Sequence, residues 1–218
     1  NGGDNGTTGD TLTINDSTLG TLSDNAFAHV SGIESVVLST SGTAAVNAGG
    51  YFQTAFGTNG AKITATSLTS TATFTEDLTL FTGTSTSTIT TAGTGAISVT
   101  GGQGANTVTI STASTAANSV IVTGGAAADT ISVTDTGVFA TGGNIVINGG
   151  AGADKVTLVT ADHTNAVSVV TLTVNPTQSN VGAADQVTGF YVTASTRKVD
   201  TIDFAGSAIK PADRKSVV

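Results

Sequence analysis

Apolar residues alternate with threonine, serine and other polar residues along most of this chain, the period of a strand with one buried face. Thr11–Ile14 shows this two-residue period first, behind a Gly/Asp-rich opening stretch. Gly32–Thr40 repeats it, with Ile33, Val36 and Leu38 available for burial. Residues 61–99 form a run of short alternating strands separated by Gly, Ser and Thr. Two stretches break the rhythm. Residues 18–30 (TLGTLSDNAFAHV) carry the strongest helical signal, with Ser23 or Asp24 placed to cap a short helix that buries Phe27 and Val30. Tyr51, Phe52 and Phe56 group as an aromatic cluster suited to plugging or covering an edge.

The centre of the chain is periodic. Ile97–Ile110 (ISVTGGQGANTVTI), Val120–Val133 (VIVTGGAAADTISV) and Ile145–Leu158 (IVINGGAGADKVTL) share one template, a short strand, a glycine pair, an Asp or Asn, and a second short strand. The glycine pairs begin at 101, 124 and 149, so the unit recurs at intervals of 23 and 25 residues. A near-fixed period with strand–turn–strand content predicts a β-solenoid, in which each coil buries the apolar face of its neighbour. A Greek-key sandwich would supply frequent turns but has no reason to repeat one turn sequence. The expected fold is therefore mostly β. A β-solenoid of the parallel β-helix or β-roll kind is predicted over residues 61–210, an irregular β region with one short helix over 1–60, and a C-terminal tail over 211–218.

Composition sharpens this picture. Threonine fills about a fifth of the chain, and charged residues are only 10%. Stiff β-branched side chains favour sheet. Scarce aromatics, 5% of residues, predict a thin core of Val, Ile, Leu and Ala. The net charge of −8 opposes nucleic-acid binding, which needs a basic face. Lys62 is the only basic residue before Lys155, and the other five lie within the last 22 positions. With no cysteine there is no disulfide framework, thiol chemistry or zinc–thiolate site. The missing initiator methionine predicts a segment internal to a longer polypeptide. No run approaches the ~18 apolar residues of a membrane span.

The glycine corners carry a resemblance. GGAGADKVT (Gly149–Thr157) fits the nine-residue G-G-x-G-x-D-x-U-x repeat of RTX proteins at every defined position. GGAAADTIS departs from it at Ala127, and GGQGANTVT at Asn106. ADQVTGF (Ala184–Phe190) and VDTIDFAGSAI (Val199–Ile209) are similar to the segment that often closes RTX arrays. The chain as a whole resembles the Thr-rich strand-repeat segments of bacterial S-layer proteins and large type I-secreted surface adhesins. That resemblance implies Ca²⁺ held between successive stacked loops, where glycine carbonyls and an Asp oxygen supply the hard ligands the ion prefers. The implied half-sites are Gly150, Gly152 and Asp154; Gly125, Ala127 and Asp129; and Gly102, Gly104 and Asn106. Asp4 and Asp10 are further candidates. Intervals of 23 and 25 residues exceed the tight RTX roll, so sites are expected along one edge only. The alternative for each corner is a plain glycine turn with a solvated aspartate.

Candidate catalytic groups are sparse. The histidines are His29 and His163, the latter beside Asp162 in a polar stretch. Glu76 and Asp77 are adjacent on a predicted strand and so face opposite sides, unable to flank one bond together. A lyase groove for uronates would need more cations than Lys62 and Lys155 provide. The expectation is a non-enzymatic protein. The favoured reading is an extracellular structural segment at the bacterial cell surface, stabilised by calcium, that associates with itself or with neighbouring domains of the same polypeptide. The alternative is an adhesin module that binds glycan, another cell or ice through threonine rows such as Thr86–Thr90, while the basic C-terminal cluster from Arg197 to Lys215 is placed to face acidic neighbours or lipopolysaccharide. Those rows do not recur at a fixed sequence interval.

Overall fold

The computed structural model describes residues 9–58, 60–69, 71–91, 95–112, 119–135, 144–160, 169–174, 185–189 and 201–204. Strands β1 (Thr11–Ile14), β2 (Gly20–Leu22), β3 (Ser35–Leu38) and β4 (Ala44–Asn47) come first. They are followed by β5 (Ala61–Leu68), β6 (Phe74–Asp77), β7 (Ser85–Thr91) and β8 (Ile97–Thr100). Next come β9 (Asn106–Thr112), β10 (Ser119–Gly125), β11 (Thr130–Asp135) and β12 (Asn144–Gly150). The last are β13 (Lys155–Thr160), β14 (Val169–Val174), β15 (Gln186–Thr188) and β16 (Thr201–Phe204). Odd-numbered strands form one eight-stranded sheet and even-numbered strands the other. Every pairing is parallel and joins strands two places apart in sequence. The protein is a mostly β, parallel β-solenoid, and the first sixty residues contribute strands to the same two sheets.

Register makes the core. In the odd sheet, Val36, Ile63, Ser87, Val108, Ile131 and Val156 stack in one column. Ala65, Ile89, Ile110, Val133 and Leu158 stack in the next. The even sheet opposes them with Ala44–Phe74–Ile97–Val120–Ile145 and Val46–Glu76–Val99–Val122–Ile147. All of these are buried. Each fully buried Val, Leu, Ile or Phe contributes roughly 1.5–3 kcal/mol relative to exposure. A parallel ladder repeats its register only if every coil keeps the two-residue alternation in phase, because a one-residue slip would turn each column outward.

Outward positions of the odd sheet form columns too. Thr64, Thr88, Thr109, Ser132, Thr157 and Thr188 lie in line, beside an exposed column of Lys62, Thr86, Thr107, Thr130, Lys155 and Gln186. The uneven sequence interval is absorbed elsewhere. Thr112 pairs with Asp135 and Ser119 with Asn144, so the two extra residues of the 25-residue interval lie between β11 and β12. The three glycine corners, from β8 to β9, β10 to β11 and β12 to β13, keep one length.

The helical signal resolves differently from expectation. Residues 24–27 form a 3-10 turn, Asp24–Phe27, and the α-helix is α1 at Gly50–Phe56. Ser23 makes no capping hydrogen bond. Asp24 instead accepts the backbone N–H groups of Phe52 (2.8 Å) and Tyr51 (3.2 Å), so its carboxylate caps the start of α1. A β-carbon at Gly49 would lie 2.6 Å from that carboxylate, which explains the glycine. Phe27, Phe52, Phe56 and Phe81 interlock with centroid separations of 4.5–6.3 Å, and all are buried. The aromatic plug is thus real and takes in Phe81. Tyr51 stands outside it, 49% exposed. Val30 is only partly buried against the core.

Candidate functional site

The three glycine corners lie one over another along the edge where even strands turn into odd ones. Gly125 pairs with Gly150 in the β10–β12 ladder. Gly101 N–H donates to Thr123 O at 2.8 Å, and Ala151 N–H to Gly125 O at 2.8 Å. Coils approach so closely here that side chains are excluded. A β-carbon on Gly125 would overlap Gly102 O, one on Gly150 would overlap Gly125 O, and one on Gly152 would fall 2.6 Å from the Ala127 carbonyl carbon. Gly150 and Gly152 also take positive φ, +95° and +125°, which a side chain would strain.

Behind the glycines runs a polar column. Asn106, Asp129, Asp154 and Asp185 follow one another in register, each just before or at the start of its odd strand. The backbone N–H of each donates to Oδ1 of the next: Asn106 to Asp129 at 2.7 Å, Asp129 to Asp154 at 2.8 Å, and Asp154 to Asp185 at 3.1 Å. Asn106, Asp129 and Asp154 are 2%, 2% and 1% exposed. These aspartates are therefore not the solvated tips of plain turns. The first glycine of each pair makes room for them, since a β-carbon at Gly124 or Gly149 would overlap Oδ2 of Asp129 or Asp154.

The second oxygens are the unusual feature. Oδ2 of Asp129 and Oδ2 of Asp154 are buried with no hydrogen-bond partner. Burial raises the Asp129 pKa against the lowering effect of its bonds from Asn106. Asp154 is pushed up to about 6, first by burial, with the neighbouring Asp185 and Asp129 charges adding and the bond from Asp129 N–H opposing. An anionic oxygen in such a place asks for a proton or a cation. Oxygen donors only, carboxylate plus corner carbonyl, are the set that Ca²⁺ accepts. Among the described residues no three His, Cys or acidic side chains group as a metal cluster, so carbonyls would have to supply most ligands.

The sequence-derived site residues do converge. The carbonyls of Gly102, Gly104 and Gly124 and Oδ1 of Asp129 gather around Asn106 Nδ2; Gly125 lies between Gly102 and Gly150; and Ala127 lies against Gly152. Asp185 was missed as a site residue, because no glycine pair precedes it; its signal was the shared A-D-x-V-T of ADKVT and ADQVT. Asp10 occupies the same column farther down, aligned with Glu34. Its N–H donates to Glu34 Oε2 at 2.6 Å, and its Oδ2 is buried without a partner. Asp4, His163 and most of the closing segment lie outside the described residues. His29 is exposed, and Glu76 and Asp77 do face opposite sides, Glu76 inward and Asp77 outward.

No described helix is long and apolar enough to cross a membrane. The chain matches no family model, no curated protein and no solved structure.

Proposed function

We propose that this chain is a non-catalytic structural segment of a secreted bacterial surface protein of the S-layer or RTX-adhesin kind, ordered outside the cell by Ca²⁺ bound at the glycine corners. One observation carries the reading: two buried carboxylate oxygens, Asp129 Oδ2 and Asp154 Oδ2, sit without donors in a column of stacked corners. Asp129, Asp154 and the corner carbonyls, that of Gly149 among them, would hold the ion. Bound Ca²⁺ would neutralise the buried charge and tie adjacent coils together. An ion that binds only the folded chain adds RT ln(1 + [L]/Kd), about 2.7 kcal/mol at a hundredfold excess over Kd. The solenoid would thus loosen where calcium is scarce and order where it is plentiful. Its partners would be further copies of itself or neighbouring domains of the same polypeptide.

Thermal unfolding in CaCl₂ and in EGTA tests this. The expected outcome is a higher melting temperature in calcium, and an EGTA-insensitive transition would remove the metal from the reading.

The in-register threonine face favours a second reading, a module that binds glycan or another surface. Thr88, Thr109, Ser132 and Thr157 present hydroxyls in line on consecutive coils. Ordered two-dimensional sheets on adding calcium would support the lattice role, whereas soluble monomers retained on a glycan array would support the adhesin.

A further inference from the structure

We propose that the side-chain amide of Asn106 is a built-in occupant of the lowest oxygen cage among the glycine corners, closing their row so that cations bind at these corners only on the Asp129–Asp154–Asp185 side of it. The restriction of cations rests on the calcium reading, while the role of the amide stands on its own geometry.

Four oxygens converge on Asn106 Nδ2: Gly104 O at 2.8 Å, Asp129 Oδ1 at 2.9 Å, Gly124 O at 3.1 Å and Gly102 O at 3.3 Å. They come from two adjacent coils, three backbone carbonyls and one carboxylate. An amide nitrogen has only two N–H groups to share among them. The surplus of acceptors about one point is what a spherical cation would meet, and Nδ2 stands there instead. The other end of the side chain is equally engaged. Asn106 Oδ1 accepts from Ser85 Oγ at 2.7 Å and from Gly102 N–H at 3.0 Å. Asn106 is therefore fully satisfied within the protein.

One coil on, the same position holds an oxygen. The ladder fixes the correspondence, because Asn106 N–H donates to Asp129 Oδ1 as Asp129 N–H donates to Asp154 Oδ1. The glycines fix it again. A β-carbon on Gly101 would meet Gly124 O and Asn106 Nδ2, and one on Gly124 would meet Gly149 O and Asp129 Oδ2. So Asp129 Oδ2 takes the place of Asn106 Nδ2, and Asp154 Oδ2 follows against Gly149. Where the amide stands the cage has a donor. Where Asp stands it has none. The Asn/Asp choice at this position decides whether a corner fills itself or requires something from outside. Below Asn106 the column passes through Ser85 and Ala61, two positions without a carboxylate, before it reaches Glu34 and Asp10, so the amide ends the row of glycine corners and not the column as a whole.

Asn106→Asp, Asn106→Ala and Asp129→Asn in the full chain test the assignment by calcium-binding stoichiometry and by melting in EGTA and in CaCl₂. Asn106→Asp should melt below the wild type in EGTA, bind one more Ca²⁺ per chain and regain its stability in calcium. Asn106→Ala should lose stability without that recovery. Asp129→Asn should bind fewer ions and melt at or above the wild type in EGTA. If the wild type binds calcium but Asn106→Asp gains no ion, Asn106 does not close the row. If the wild type binds none, the calcium reading fails alone, and the EGTA melts still decide the amide. Asn106→Asp melting no lower than the wild type, or Asp129→Asn melting below it, would overturn the amide's role.

Discussion

Along one edge of the solenoid the same turn, from even strand to odd strand, is built in two ways. Near the N-terminal end the connections between β2 and β3, β4 and β5, and β6 and β7 are long enough to fold inward, and they fill the corner with Phe27, Phe52, Phe56 and Phe81. At β8–β9, β10–β11 and β12–β13 the corners shorten to the glycine template, and backbone lies on backbone. The two regimes meet directly: Gln103 N–H donates to Phe81 O at 2.8 Å. A long connection brings its own apolar filling, whose contribution is hydrophobic and indifferent to ions. A short one has no side chains to spare, so the space behind it is left to a column of Asn and Asp. Its stability then depends on what those polar atoms find. The first half of the edge should therefore be self-sufficient, and the second conditional.

The plug gives the largest test of that contrast. Phe52 is fully buried against three other rings, and Phe52→Ala should cost about 3–5 kcal/mol. Denaturant unfolding should show the loss undiminished by saturating calcium. A loss that calcium restores would mean the two halves of the edge are not independent.

Glu76 tests whether a carboxyl away from the corners behaves differently from those within them. It lies between Val46 and Val99 in an otherwise apolar column, receives Ser87 Oγ–H on Oε1 at 2.5 Å, and has a buried Oε2 without a partner. Its column neighbours and Ser87 do not titrate. Burial raises its pKa to about 7, against the lowering effect of Ser87. The folded chain thus keeps this proton from about 4.5 to about 7 while the unfolded chain releases it. Stability from this group is complete below that window and falls as pH rises through it. The slope is about 1.4 kcal/mol per pH unit, on the order of 3 kcal/mol in all. Glu76→Gln should remove this component in calcium and in EGTA alike. Asp129 and Asp154 are raised in the same direction, but their share of the slope should shrink once calcium holds them ionised. A pH profile of Glu76→Gln identical to the wild type would show that Glu76 is not the proton carrier.

Much of this was legible in the residues. Alternation at Ile97, Val99, Val120, Val122, Ile145 and Ile147, together with the recurring glycine pair, placed the ladder and the stacked corners, because local period and register are the same information in a parallel stack. What escaped was non-local. Asp24 caps a helix 27 residues on, and Phe81 joins a plug whose other rings precede it by 25 residues or more, so neither is visible in a local window. Glu76 breaks the polar-outward rule, since a core carboxyl is tolerable only where Ser87 faces it from the other sheet. The threonine columns were hidden because connections of unequal length between successive strands change the sequence interval at each coil but not the register.

The smallest effects belong to the corners, and there the comparison is sharpest. A methyl group on Gly149 would overlap Asp154 Oδ2, whereas one on Gly50, at the start of α1, meets nothing within 4 Å. Both are glycines at the turn from an even strand, one in each regime. Gly149→Ala should cost about 1–3 kcal/mol through overpacking and should flatten the calcium dependence of melting, because the displaced carboxylate no longer aligns with its neighbours. Gly50→Ala should change stability by less than about 1 kcal/mol, in the stabilising direction expected of alanine in a helix, and leave any calcium response as it is. Asp154→Ala should then reduce the calcium response more than Asn106→Ala does, since only the aspartate has an oxygen left to offer. Equal reductions in titration calorimetry would place Asn106 among the ligands, and with it the boundary of the ion row one coil lower.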